Sequence, residues 1–248
     1  MSQITRVYHS KPRLLSNLMK WIIGLTIPVV LFGMYSLFES INCLYFISGF
    51  TGSETERGIA ATKFIVARDS DTSLVFIGIL AFISAISLFV LWLCWIYRAN
   101  SEARAAGATN LKFTPAWTVL GSIIPIASFV WGYQILRELW QSSLSPNNWQ
   151  KIRAPGGLLL LWIMSIIYGL LASYKLYLTR MVGSKLIPLY NGKWGYLPYD
   201  YIELLNQLQV VDSLIGIVTG IAWLFVVRTI TKNMLSHTSA LQDGREGL

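Results

Sequence analysis

Apolar residues in this chain gather into long blocks that charged side chains do not enter. Residues 21–38, 74–97 and 158–174 carry no charge at all, and residues 210–227 carry only Asp212. A helix rises 1.5 Å per residue, so about 20 apolar residues cross a hydrocarbon core of ~30 Å. Each block is therefore expected to form a transmembrane helix. Pro28 lies inside the first, where a membrane helix tolerates it with a kink. Asp71, Thr72 and Ser73 precede the second, and any of them can cap a helix start. Trp92, Trp95 and Tyr97 close that block ahead of Arg98, as interfacial aromatics do. The predicted fold class is all-α: a polytopic transmembrane helix bundle forming one integral membrane domain over residues 1–248.

A fifth uncharged stretch, residues 113–136, is also long enough to span. It contains Pro115, Gly121, Pro125 and Gly132. Two prolines and two glycines favour a broken helix, re-entrant or interfacial, over a straight span. Loop charge supports the same choice. With four spans, 13 of the Lys and Arg residues fall on the side of both termini and of residues 98–153, against 7 on the other side. A fifth span would change the split to 11 and 9. Basic residues are retained on the cytoplasmic side, so four spans with both termini cytoplasmic are expected. Residues 39–73 and 175–209 are then outer loops, the second holding Tyr190, Trp194, Tyr196, Tyr199 and Tyr201. The polar tail, 232–248, is expected to be mobile.

Composition sharpens this picture. Of 248 residues, 54% are hydrophobic and 13% charged, about half the charged fraction of a soluble domain. The net charge of +8 would suggest nucleic acid in a soluble protein. Here the basic residues sit between apolar blocks, so anionic membrane lipids are the expected partner and nucleic acid is not. The first apolar run is long for a signal peptide and no small-residue cleavage site follows it, so it is read as a retained span. Cys43 and Cys94 fall near opposite membrane faces and are not expected to pair. His9 and His237 are too few for a histidine metal site. Asp69-Ser70-Asp71 lacks the ligand spacing of a calcium loop and reads as helix capping. No GxSxG, HExxH or Walker A motif occurs. Catalytic residues, cofactors and metals are therefore not expected.

The densest signal is the middle section. It reads Trp95-Ile-Tyr97-Arg98-Ala99-Asn100, then Gly107-Ala108, then Phe113-Thr114-Pro115-Ala116-Trp117. Pro125-Ile126-Ala127-Ser128 and Tyr133-Gln134, with Glu138 and Trp140, follow. This order of Trp, Arg, Pro and Gln resembles the bacterial family known as domain of unknown function 4328, over about residues 74–226. The chain departs from that pattern at Ser128, where the family tends to have Asn, and at Gly132, where a Pro often precedes the Tyr-Gln pair. The resemblance implies a bacterial inner-membrane protein and no particular activity.

Candidate functional residues are Arg98, Asn100, Arg104, Pro125, Gln134, Arg137, Glu138 and Asp212. Asn100 and Arg104 are four apart and share a helix face, whereas Arg98 and Arg104 do not. If the section folds back, Glu138 can pair with Arg98 or Arg104. A proline-broken helix frees backbone groups that can bind an ion or anion. The simpler account is that the arginines snorkel to the interface and the prolines set a loop against the bundle. Asp212 and Glu39 are the acids nearest lipid depth, placed at span edges. Gly169 with Ser173 and Gly216 with Gly220 offer small-residue spacings for close helix packing. The expected function is a non-enzymatic accessory, scaffold or regulatory subunit acting through contacts with other membrane proteins or with itself. The alternatives are a small transporter or channel using the Pro125 segment, and a membrane enzyme with a polar pocket.

Overall fold

A computed structural model describes residues 12–49, 51–53, 56–60, 72–186 and 199–246. Six α-helices and one short 3-10 helix account for nearly all of them. They are α1 (Pro12–Ser48), α2 (Thr72–Ala105), α3 (Pro115–Ile123), α4 (Pro125–Leu144), the 3-10 turn Pro146–Lys151, α5 (Gly156–Leu186) and α6 (Tyr199–Glu246). The described residues contain no strand. The Asp69-Ser70-Asp71 run, His9 and most of the aromatic loop at Tyr190, Trp194 and Tyr196 lie outside the described residues.

Four helices are long and apolar enough to cross a membrane: Pro12–Ser48, Gly78–Ala105, Gly156–Met181 and Asp200–His237. Each overlaps one of the expected blocks and runs past its C-terminal end, because the uncharged run marks the apolar crossing and not the helix ends. Each also turns an apolar stripe outward. On α1, Ile27, Leu31, Met34, Phe38, Ile41 and Tyr45 recur every three or four residues, and Phe38 is 60% exposed. On α6, Leu214, Val218, Ile221 and Phe225 do the same. Such stripes face the core in a water-soluble helix. Turned outward on every long helix, they make this chain a membrane protein whose surrounding medium is lipid.

The fifth stretch is not one continuous membrane-length helix. Helix α3 has 9 residues, about 14 Å of rise, less than half the ~30 Å hydrocarbon thickness. It breaks at Ile124, which adopts an extended conformation (φ −77°, ψ 113°) ahead of Pro125. The residue before a proline is pushed out of helical geometry by the pyrrolidine ring. Pro125 then opens α4 at a position where its missing N–H costs nothing. The two helices fold back on each other. Trp131 meets Trp117 edge-on at 6.2 Å and Phe113 at 6.1 Å. Trp117, Leu120, Ile123, Ile124, Phe129 and Val130 around the turn are exposed and apolar.

The chain divides into two compact units. The first draws on Met1–Thr26, Ala85–Ile163 and Ile221–Leu248, the second on Ile27–Ser84 and Met164–Gly220. The first unit holds the main core, in which Leu15, Trp95, Ala99, Leu136, Leu139, Val227 and Ile230 are buried. Trp95 was expected at the interface. It is 0% exposed, stacks on Trp92 at 5.1 Å and donates from Nε1 to Thr231 Oγ1 at 2.9 Å. Residues 232–246 are helical and not a loose tail. Met234 is buried in the core, and His237 Nε2 lies 3.2 Å from the Leu144 carbonyl. Cys43 is buried and Cys94 is exposed.

Within the chain the small-residue positions differ in what surrounds them. A side chain at Gly216 would meet the Tyr168 ring at 3.0 Å, whereas Gly169 and Gly220 have no atom within 4 Å. Gly216 thus accommodates an aromatic ring within the chain. The tightest glycine is Gly132, where an added Cβ would fall 2.2 Å from Trp162 Cη2. The position that departs from the family pattern is therefore the seat of a tryptophan. Gly132→Ala is expected to destabilise the protein by about 1–3 kcal/mol through overpacking, read as a lower thermal midpoint in mild detergent. Gly169→Ala, in open space, should leave the midpoint unchanged or raise it.

Candidate functional site

Helix α2 ends in a way its sequence prescribes. Ala108 N donates to Ala103 O at 3.0 Å and Gly107 N to Arg104 O at 3.1 Å. Gly107 sits at φ +100°, a left-handed conformation that glycine adopts without strain. A Cβ there would also press on Asn147 Oδ1 at 2.8 Å. The chain then runs without regular structure to Thr114, which caps α3 by accepting from Trp117 N. Asn110 is left-handed as well, at φ +58°. Several residues of this stretch, Ala108, Leu111 and Phe113 among them, are buried. Its backbone groups therefore need partners inside the protein.

The candidate residues supply them. Asn100 Nδ2 donates to Phe113 O at 3.1 Å. Arg104 Nη2 donates to the same oxygen at 2.9 Å and to Leu111 O at 3.2 Å. Arg104 Nε donates to Asn100 Oδ1 at 3.0 Å, which holds both side chains in place. The four-residue spacing of Asn100 and Arg104 brings them together as expected. Glu138 approaches the same segment from α4. It is 6% exposed. Burial pushes its pKa above the ordinary glutamate value, while the Phe113 and Lys112 backbone N–H groups and the charges of Lys112 and Arg137 pull it back. One of its oxygens, Oε2, is buried without a hydrogen bond. Gln134 Oε1 accepts from Lys112 Nζ at 2.8 Å. The segment 111–113 is thus held through its carbonyls by α2 and faced at its amides by α4.

Glu138 does not form the expected ion pair with Arg98 or Arg104. Arg98 pairs with Glu102, four residues on, at 3.3 Å, and neither its Nε nor its Nη2 donates a hydrogen bond. Arg104 is turned toward carbonyls, and Glu138 toward amides. Arg137 is exposed, and Pro125 serves as the first residue of α4. Trp149 Nε1 adds a bond to Thr109 O at 2.8 Å, and Gln141 Nε2 donates to Ile152 O. Glu102 was missed as a partner, although its i,i+4 spacing from Arg98 was a usable signal.

Asp212 belongs to the second unit and is buried within α6. Its Oδ2 lies 2.5 Å from Lys175 Nζ on α5. Lys175 Nζ also donates to Gln209 Oε1 at 2.6 Å. Gln209 Nε2 in turn donates to Ser36 Oγ on α1 at 2.8 Å and to Ser213 Oγ at 3.1 Å. Nothing in the local pattern joins residues 36, 175 and 209. No group of His, Cys, Asp and Glu arranged to hold a metal occurs among the described residues.

The class that follows is an all-α membrane helix bundle with a proline-broken helical hairpin pinned against it. The chain belongs to the family described as Domain of unknown function (DUF4328), whose model matches residues 60–232. Comparison with curated proteins and with solved structures returns no match.

Two outcomes check the clamp. Arg104→Lys replaces a planar fork by a point donor and should cost about 2–3 kcal/mol, seen as a lower thermal midpoint. Glu138 binds its proton more tightly folded than unfolded. Its contribution to stability is therefore full below the ordinary glutamate pKa and is lost as pH rises through the raised folded value. Glu138→Gln should remove that part of the slope when midpoints are measured from about pH 4 to 8.

Proposed function

We propose that this membrane protein is a non-enzymatic accessory, scaffold or regulatory subunit. It acts through helix contacts with other membrane proteins or with a second copy of itself. The observation that carries the reading is how the polar residues of the middle section are used. Asn100 and Arg104 spend their donors on the chain's own carbonyls at 111 and 113. That leaves them as fasteners of a hairpin and not as ligands for a cargo. The apolar stripes on α1, α2, α5 and α6 supply the surfaces through which helices associate in lipid. The bias of 13 basic residues against 7 supports both termini being cytoplasmic, and the family resemblance supports a bacterial inner membrane.

One observation favours a small transporter instead. Glu138 Oε2 is buried and unbonded beside a proline-broken helix, the kind of group that handles a proton or cation. Purification in mild detergent separates the two readings. A stoichiometric membrane-protein partner, or a defined oligomer of this chain, is expected. A lone monomer whose ion flux in liposomes disappears in Glu138→Gln would overturn the subunit reading in favour of transport.

A further inference from the structure

The polar network of the second unit is more than a strut between helices. Lys175 Nζ sits 2.5 Å from Asp212 Oδ2 and 2.6 Å from Gln209 Oε1. The Gln209 amide is oriented from behind, because its Nε2 donates to both Ser36 Oγ and Ser213 Oγ. That arrangement aims the amide oxygen at the cation. The second Asp212 oxygen, Oδ1, is buried and has no hydrogen bond. The two charged partners also differ in access: the Lys175 side chain is 23% exposed and that of Asp212 is 8%. The ammonium is therefore the more accessible partner and the carboxylate the more buried one. Packing alone would not call for this pair, since a buried ion pair is often no more stabilising than apolar residues of the same volume.

We infer that Asp212 and Gln209, backed by Ser36 and Ser213, form a binding site for a small ammonium ion, with Lys175 as its tethered occupant. The recognition chemistry is specific. Asp212 supplies the charge and Gln209 a neutral acceptor. The unfilled Oδ1 is available to a further N–H. A free ammonium carries four N–H donors and methylammonium three, so either reproduces the lysine head group and reaches the remaining oxygen. Tetramethylammonium has the same charge and no donor, and it is too wide to approach both oxygens at hydrogen-bond distance.

The test uses the full chain in mild detergent at constant ionic strength. Lys175→Ala leaves a buried, uncompensated carboxylate and should melt well below the parent protein. Ammonium chloride and methylammonium chloride should each recover at least half of the lost midpoint. Tetramethylammonium chloride should recover none, and the parent protein should not respond. Lys175→Ala combined with Asp212→Asn should not respond either. The same ranking is expected for Lys175→Gln, which keeps an N–H donor and so holds the fold if the alanine variant does not. The inference is overturned by equal recovery with tetramethylammonium, by recovery that persists without the Asp212 carboxylate, or by no recovery in either lysine variant. None of these outcomes depends on whether a partner co-purifies.

Discussion

The Phe113 carbonyl, taken at once by Asn100 and Arg104, is the contact on which the hairpin depends. An irregular segment buried against a helix bundle has no ladder of its own to satisfy its backbone. The stretch from Gly107 to Thr114 meets that requirement with side chains from both neighbouring helices. Arg104 is suited to the task because its planar fork reaches two carbonyls while its Nε holds Asn100. With the segment fixed, Thr114 and Pro115 start α3 at a set place, and Pro125 turns the chain back into α4. The apolar tip of that hairpin then follows from the lengths of the two helices.

Burial of apolar surface gives little preference for one helix neighbour over another in hydrocarbon, since lipid tails are as apolar as leucine. Polar links carry that selectivity within each unit. In the first, Trp95 reaches Thr231. In the second, Lys175, Asp212, Gln209 and Ser36 connect α1, α5 and α6. These bonds occupy most of the groups that a sequence reader would nominate for cargo binding. The outward surfaces remain apolar, which is why contact with lipid and with other helices dominates the functional reading.

Several features were legible from residues alone. The four crossing helices followed from the charge-free blocks. The break at Pro125 followed from ring sterics, and the Asn100–Arg104 pair followed from helical spacing. Others were misjudged for physical reasons. Trp95 lies where an interfacial aromatic would, and the burial of its indole against a threonine 136 residues away was not legible. The tail looked too polar to order, yet Met234 gives it a buried anchor. At Gly216 the tyrosine ring that an added side chain would meet lies on another helix, and the small-residue spacing does not name it.

What the sequence determined by itself was the medium and the class. Uncharged blocks of membrane length settle where the chain is surrounded by lipid, and Pro125 settles where α3 stops, because both effects act within one segment. Only the tertiary structure decided which charges meet. Glu138 turned to the amides of Lys112 and Phe113, and Lys175 closed on Asp212 from another helix. Pairing across helices depends on the rotation and depth of each one, and no local spacing encodes those quantities.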